Sequence, residues 1–313
     1  MTKRLFMKYL LYALIFITLF SACQRILNRG GGHLPTGKNT RNSAPTGEET
    51  DLVKEASIKR YFLNVNGDNR TFLVQLPKGY DPSQTYPVIF FFHSIHGHDT
   101  GWIKNRGVNE YVDKYKYIAV YGQGANGGVW NIGGYYPLKK VSEPNYVMEM
   151  YNWLKQNTKI DARRVYAVGT SNGALLAHYL AIQTNIFAAI VPISGSLYTD
   201  EMKSNAQPTA VLQIHGMQDR TIPYNGGFTK YQYTFLSAEN SVQTWAETNG
   251  CNAQPTVTNL LGGKVTARSY TNCKSGKPAI LYSISGAAHK VADSIDLDWL
   301  FDQVFSFLAK NER

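Results

Sequence analysis

Cysteine and concentrated charge are scarce in this sequence. Only three of its 313 residues are cysteines, and none belongs to a closely spaced pair of the kind that binds zinc. The 32 Lys and Arg residues outnumber the 22 Asp and Glu residues, for a formal net charge of +10, but they are scattered along the chain. A scattered excess indicates a solvated basic surface, so nucleic-acid binding is not predicted.

A complete phosphate-binding or metal-binding motif is also absent. The glycine-rich run 122–128 lacks the Lys-Ser/Thr pair and the following helix of a phosphate loop, and we interpret it as a loop that shapes a cleft. His93, His96 and His98 lie on one predicted loop without a matched downstream ligand, whereas a metal site needs three or four converging ligands. We therefore predict no metal site and no cofactor.

The first 23 residues carry a targeting signal. Lys3, Arg4 and Lys8 precede an apolar stretch from Leu10 to Phe20, and Ser21-Ala22-Cys23 follows. This order is typical of a secretory signal, and the cysteine after two small residues resembles the lipobox of bacterial lipoproteins. We expect a signal peptide over residues 1–22 and a lipid on Cys23, which would anchor an exported protein to a membrane facing the periplasm or the cell exterior. The alternatives are an ordinary cleaved signal and an uncleaved anchor helix.

The two other cysteines, Cys251 and Cys273, lie in the C-terminal part of the chain. In an exported protein, two cysteines left over in this way favour a disulfide. Two buried free thiols are the alternative.

Residues 23–56 are rich in small and polar residues without an apolar period, which predicts a flexible tether. From residue 57 to residue 313, strand-like and helix-like segments alternate, which predicts one α/β domain with a mostly parallel central sheet and helices on both faces. The turn signal Asn66-Gly67-Asp68-Asn69 predicts an antiparallel hairpin at its start. The predicted strands are 61–65, 71–76, 88–92, 117–121, 165–168, 188–193, 209–214 and 280–284, and the predicted helices are 144–159, 174–182 and 295–309.

The sharpest motif is Gly169-Thr170-Ser171-Asn172-Gly173, which fits the pattern G-x-S-x-G. It follows the predicted strand 165–168 and precedes the predicted helix 174–182, the context that a nucleophile elbow requires. The tight turn would lift the hydroxyl of Ser171 clear of the sheet at the positive end of a helix. The sequence therefore predicts Ser171 as a nucleophile, with a purely structural turn as the alternative.

A serine nucleophile needs a histidine as base, and the chain offers three histidines after Ser171. His178 lies on the helix after the elbow, where packing explains it. His215 ends a strand, where a role in the turn explains it. His289 lies in a loop after the last predicted strand, which is where the base of such an enzyme belongs, so we predict His289 as the base.

The acid that orients this histidine should lie between the serine and the histidine in chain order. Asp219 meets that order and follows the predicted strand 209–214. Asp200 follows the preceding strand, and Asp293 and Asp296 fall after the histidine. We predict Asp219 as the acid.

The oxyanion of the reaction needs two hydrogen-bond donors. One would be the backbone N–H of Asn172, which follows the nucleophile. The other would come from the loop after strand 88–92, where the N–H of Ser94 or Ile95 is the candidate.

At these motifs, residues 58–309 resemble the secreted α/β-hydrolase esterases that include polyhydroxybutyrate depolymerase-like, feruloyl and acetyl xylan esterases. The resemblance implies Ser171, Asp219 and His289 as a catalytic triad and Cys251–Cys273 as a disulfide. The usual His-Gly of the oxyanion loop reads His93-Ser94 here, which bears on the second oxyanion donor. The matching stretches are 160–166 leading into 169–173, 187–190, 215–219, 222–227, Trp245, 249–251 and 270–273.

The resemblance implies a serine carboxylester hydrolase that cleaves feruloyl or acetyl esters of plant polysaccharide through an acyl-enzyme. Trp102 and Trp130 follow predicted strands, so either can line the substrate cleft, with core packing as the alternative. The other candidate functions are a depolymerase of polyhydroxyalkanoates or short-chain esters, and an inactive hydrolase fold that acts as a surface binding protein.

Overall fold

The computed structural model describes residues 58–133, 142–199, 206–230 and 232–313. The predicted signal peptide 1–22, the tether 23–56 and the lipid on Cys23 lie outside the described residues and stay predictions. The candidate acid Asp200 lies outside them too. Within the described ranges, no helix has both the length and the apolar character needed to cross a membrane.

Strands and helices alternate through most of the described chain. The strands are β1 (Ile58–Val65), β2 (Asp68–Gln75), β3 (Tyr86–Phe92), β4 (Ile118–Gly122), β5 (Ile160–Thr170), β6 (Ala189–Ile193), β7 (Ala210–Gly216), β8 (Gly227–Phe228), β9 (Thr234–Phe235), β10 (Thr256–Leu260), β11 (Val265–Tyr270) and β12 (Ala279–Ile284). The helices of six or more residues are α1 (Gly101–Arg106), α2 (Val108–Tyr115), α3 (Glu143–Asn157), α4 (Asn172–Gln183), α5 (Ala238–Thr248) and α6 (Leu297–Ala309).

Ten of these strands form one sheet in the order β1-β2-β4-β3-β5-β6-β7-β12-β11-β10. The neighbours from β4 to β12 in this order are parallel. An antiparallel pair flanks the parallel strands at each edge, β1 with β2 and β11 with β10. The fold is that of an α/β-hydrolase, and the prediction of a mostly parallel sheet with an N-terminal antiparallel hairpin is confirmed.

The central strands are apolar throughout because helices cover both faces of the sheet. In β3, the side chains of Val88, Phe90 and Phe92 pack into the core beneath α3, α4 and α5, whereas those of Ile89 and Phe91 pack beneath α1, α2 and α6. All seven residues of β3 are buried. The continuous apolar run in the sequence is thus a central strand whose side chains are buried on both faces of the sheet and contribute to both hydrophobic cores.

The first hairpin turns through only two residues, Asn66 and Gly67, because Val65 pairs with Asp68. Both turn residues have a positive φ, 54° and 88° respectively. That conformation is the type I′ turn, whose twist matches antiparallel strands and which favours Asn-Gly.

Several elements have no counterpart in the sequence prediction. The hairpin of β10 and β11 lies at the sheet edge, where four of the five β10 residues are exposed, so no apolar run marks it. Helices α1, α2 and α5 span 6, 8 and 11 residues, at or below the window of about 11 residues over which an apolar period can be recognised. Helix α6 begins two residues later than predicted because Asp296 caps it by accepting a hydrogen bond from the N–H of Trp299 at 2.8 Å.

A disulfide joins Cys251 to Cys273. Cys251 follows the end of α5, and Cys273 follows the end of β11. The bridge therefore links the segment after α5 to the segment after β11. The alternative of two free thiols does not hold.

A buried ion pair fixes β2 against α3. Arg70 is 4% exposed and Glu143 is fully buried, and Arg70 Nη2 lies 2.9 Å from Glu143 Oε2. The guanidinium also lies 3.9 Å from the ring centroid of Tyr146, and Glu143 Oε1 accepts the N–H of Asn131 at 3.2 Å. Burial raises the pKa of Glu143 even though Arg70 opposes the shift. Arg70 thus lowers the cost of burying the Glu143 carboxylate.

We predict that Arg70→Met lowers the free energy of unfolding by about 3–5 kcal/mol, because it leaves the Glu143 carboxylate buried without its partner. Urea unfolding of the full chain at neutral pH measures the change. Arg70→Met/Glu143→Gln should lose less, since no charge stays buried.

The control is Lys114→Met, which removes the cation of the exposed pair with Asp302 and should leave the unfolding midpoint nearly unchanged. Equal stability of wild type and Arg70→Met would contradict the role of the buried pair.

Candidate active site

Ser171 stands at the turn between β5 and α4 and has φ 55° and ψ −120°, a conformation that a residue with a Cβ rarely adopts. Its N–H donates to Ile193 O at 2.9 Å, and its carbonyl accepts the N–H groups of Ala174 and Leu175 at 2.8 Å and 3.0 Å. These bonds hold the backbone on both sides of the strained residue. The side chain therefore projects from the carboxyl end of the sheet.

The two glycines of the motif are required by close backbone contacts. A Cβ on Gly169 would lie 2.0 Å from Gly173 O, and a Cβ on Gly173 would lie 2.3 Å from Phe92 O. Either distance is far below van der Waals contact. The G-x-S-x-G spacing thus follows from the tightness of the turn and from its packing against the end of β3.

The structure brings Ser171, His289 and Asp219 into one hydrogen-bonded chain. Ser171 Oγ lies 2.8 Å from His289 Nε2, and His289 Nδ1 lies 2.7 Å from Asp219 Oδ2. Because Asp219 as a carboxylate accepts only, Nδ1 carries the proton and Nε2 is free to accept from the serine. The side chain of His289 is 24% exposed, whereas that of Asp219 is fully buried.

Three further groups contact the Asp219 carboxylate. Its Oδ1 accepts the N–H groups of Thr221 and Ile222 at 2.8 Å and 3.1 Å, and its Oδ2 lies 3.3 Å from His215 Nε2. Burial alone would raise the pKa of Asp219, but the hydrogen bonds from His215 and His289 outweigh it and hold the pKa well below its usual range. The carboxylate therefore stays ionised, as an orienting acid must.

His215 is a partner of Asp219 that the sequence prediction missed. Its Nε2 lies 2.9 Å from Ile222 O, a pure acceptor, so Nε2 carries the proton and also faces Asp219 Oδ2. Its Nδ1 then accepts from Gln213 Nε2 at 3.4 Å. The signal was present as a histidine four residues before the acid, but only the fold of the loop shows that both face each other.

The rival residues have other places. His178 is fully buried, its Nδ1 accepts the indole N–H of Trp245 at 3.0 Å, and burial lowers its pKa to about 3. Asp296 is the helix cap already described. Asp293 lines the same cleft as His289. Among the described residues, no hydrogen bond joins the two side chains. None of the three orients the base.

Ser94, Ile95 and Asn172 line the same cleft as Ser171 and His289. Neither Ser94 nor Ile95 has a positive φ, so serine in place of glycine introduces no backbone strain here. In the described part of the chain, the backbone N–H groups of Ser94 and Ile95 donate to no other backbone carbonyl. No backbone carbonyl among the described residues therefore competes for either N–H group, and their role as oxyanion donors stays a prediction.

The histidines of this loop do not gather. His93 is buried against Trp130, whereas His96 and His98 are exposed. Within the described ranges, no group of three or more His, Cys, Asp or Glu side chains is arranged to hold a metal ion.

The cleft over Ser171 has a volume of about 620 Å³ and a mostly apolar wall. Trp130 lines this cleft, although only 1% of it is exposed, and its contact with substrate stays a prediction. The prediction for Trp102 is wrong. Trp102 is 2% exposed, packs on Phe91 at a centroid distance of 5.1 Å and belongs to the core on the face of α1, α2 and α6. The apolar wall consists of Ile95, Val129, Trp130, Ile132, Leu175, Ile222, Tyr233, Phe235, Val291 and Leu297.

Sequence comparison finds similar proteins among known esterases. A family model described as "Putative esterase" matches residues 64–245. Feruloyl esterase B of Piromyces equi is 28% identical over 252 residues, which cover 76% of this chain and 45% of that protein. Feruloyl esterase C of Emericella nidulans is 26% identical over 209 residues, which cover 65% of this chain and 69% of that protein. The chain thus spans about half the length of the first of these relatives.

Among solved structures, the acetyl xylan esterase from Aspergillus awamori has a TM-score of 0.60 to this chain at 15% identity. The match covers 79% of this chain and 99% of that one. At such identity the likeness shows a shared fold and nothing finer.

We predict that His215→Leu slows the labelling of Ser171 by a fluorophosphonate by roughly 10- to 100-fold, because Asp219 loses a charge-assisted hydrogen bond. His215→Gln, whose amide nitrogen can replace Nε2, should recover much of the rate. The second-order labelling rate of the full chain is the measurement. Equal rates for the leucine and glutamine variants would show that the N–H of His215 has no part in orienting the acid.

Asp219 should also make stability depend on pH. Its native pKa is lowered from the ordinary 3.8, so its stabilising effect is complete above about pH 5 and is lost as the pH falls through the native pKa. We expect the stability difference between wild type and Asp219→Asn, measured by urea unfolding, to shrink as the pH falls from about 5 to about 2. A difference that is constant over this range would contradict the assignment.

Proposed function

This chain belongs to the Esterase family, and on that basis we propose that it is a serine carboxylic ester hydrolase with Ser171 as its nucleophile. The observation that carries the proposal is the chain of hydrogen bonds from Ser171 Oγ through His289 to Asp219, at 2.8 Å and 2.7 Å. It opens into a cleft large enough for an ester. Nucleophile, base and orienting acid each have the partner that acyl transfer requires.

In the proposed mechanism, His289 Nε2 takes the proton of Ser171 as Oγ attacks the ester carbonyl. The backbone N–H of Asn172 and one from Ser94 or Ile95 stabilise the negative charge that develops on the carbonyl oxygen. His289 then returns the proton to the departing alcohol, which leaves an acyl-enzyme. A water, deprotonated by His289, releases the acid and restores Ser171. Asp219 stays ionised and fixes the tautomer of His289.

The proposed substrates are feruloyl or acetyl esters of plant polysaccharide. Two lines support this choice. The similar proteins are named feruloyl esterases. The mostly apolar wall of the cleft, to which Ile95, Val129 and Leu297 contribute at least partly exposed side chains, suits an aromatic acyl group that buries apolar area against it. The small acetyl group would fit the same cleft with less contact.

We predict that Ser171→Ala lowers ester hydrolysis by the full chain roughly 10⁴-fold or more, because the remaining groups cannot form an acyl-enzyme. Ser83→Ala, an exposed serine far along the chain from the elbow, is the matched control and should keep wild-type activity. Turnover of methyl ferulate, p-nitrophenyl acetate, acetylated xylan and poly(3-hydroxybutyrate) is measured for the three proteins.

A preference for methyl ferulate or acetylated xylan would support the proposed substrates. A preference for the polyester would instead favour the depolymerase. If wild type turns over none of the four and is not labelled by a fluorophosphonate, the proposal fails, and a surface binding protein becomes the better interpretation.

A further inference from the structure

The two proposed oxyanion donors lie on separate segments of the chain. Asn172 begins α4, whereas Ser94 and Ile95 lie in the loop after β3. The pairing of β3 with β5 ends at Phe92 with Gly169, so the sheet sets the spacing of the two segments only up to that point. Contacts beyond the strands must fix the direction of the loop's N–H groups.

Trp130 provides those contacts on both sides. On the elbow side, its backbone N–H donates to Asn172 Oδ1 at 2.8 Å, and Asn172 Nδ2 donates back to Trp130 O at 3.3 Å. On the loop side, its indole Nε1 donates to His93 O at 2.8 Å, and its ring lies 4.7 Å from the ring of His93 between centroids. One residue is thus bonded to both segments that carry the oxyanion donors.

The bond to His93 O has a directional consequence. In a trans peptide the carbonyl of one residue and the N–H of the next point in opposite directions, and no peptide bond in the described chain is cis. Holding His93 O on the indole therefore turns the N–H of Ser94 away from Trp130. In the same way His93 Nδ1 holds Ser94 O at 2.7 Å and turns the N–H of Ile95 away from that ring.

The ring of His93 is fixed in turn. Its Nε2 accepts the N–H of Gly124 at 3.0 Å, so Nδ1 carries the proton that it donates to Ser94 O. Burial lowers the pKa of His93, which favours this neutral form. Both carbonyls of the loop are therefore anchored by buried donors, and the anchor of the first is the indole of Trp130.

We propose that Trp130 is a positioning residue that joins the nucleophile elbow to the oxyanion loop and aims the N–H of Ser94 at the oxyanion. This inference rests on the proposed esterase function. It assigns to the indole N–H a role separate from that of the ring as an apolar wall of the cleft. The two roles differ in what they affect. An aimed N–H stabilises every tetrahedral intermediate, whereas a wall discriminates among acyl groups.

The test uses the full chain with Trp130→Phe, which keeps an aromatic ring but loses the donor to His93 O. Asn172→Ala removes the side-chain link on the elbow side and keeps the backbone donor, and the double variant combines both. Trp102→Phe is the matched control, since Trp102 is an equally buried tryptophan in the other core. For each, kcat and KM are measured with p-nitrophenyl acetate and methyl ferulate, together with inhibition by a boronic acid that forms a tetrahedral adduct on the serine.

We expect Trp130→Phe and Asn172→Ala each to lower kcat by about 10- to 100-fold, by the same factor for both esters and with little change in KM. Affinity for the boronic acid should fall by a similar factor, because the adduct resembles the transition state. The double variant should lose less than the product of the two factors, since both act on one link. Trp102→Phe should keep the wild-type kcat.

The inference is overturned if Trp130→Phe keeps the wild-type kcat, or if its loss appears only as a raised KM for methyl ferulate. A loss equal to that of Trp102→Phe would also overturn it. If Trp130→Phe does not fold, a wild-type kcat for Asn172→Ala would overturn the inference instead. Wild type that hydrolyses neither ester would overturn the esterase proposal itself, so the two failures are distinguishable.

Discussion

The strained turn at Ser171 is the constraint on which the rest of the site depends. Its positive φ sends the chain from β5 into α4 with so little room that only glycine fits at 169 and 173. The same turn places Asn172 at the cleft and lets the elbow contact the end of β3. Strain of this kind persists only where the surroundings over-determine it. Here the hydrogen bonds to Ile193 O and from Ala174 and Leu175 do so.

Around that turn, the few buried polar side chains of the triad each have hydrogen-bond partners. Asp219 is fully buried at its side chain, yet it faces two backbone N–H groups and two histidines, so its charge is compensated on every side. The two histidines, His215 and His289, thereby have different roles. One fixes the acid, and the other faces Ser171. A buried network is stable only when each member finds a partner, and this arrangement meets that condition at the acid.

The sequence was informative where function depends on local geometry. The motif around Ser171 and the buried strands were found from residue types alone, because a tight turn needs glycine and a two-sided strand needs apolar residues. The pairing of His215 with Asp219 was missed because it depends on how a loop folds. Trp102 and Trp130 were treated alike because both follow strands, and only the layer in which each packs separates core from cleft. The hairpin of β10 and β11 was missed because its outer strand faces solvent.

The strand order of the sheet also has a consequence for folding. β3 lies between β4 and β5, and every parallel neighbour is reached only through a crossover, so the pairing is dominated by contacts distant in sequence. The turn at Ser171 is enforced by β3 through Phe92 and by β6 through Ile193, which come together only after several loops have closed. A half-assembled sheet would leave Ser171 free to relax into an ordinary conformation. On the proposed function, reactivity at this serine therefore requires the completed sheet and not the elbow sequence alone.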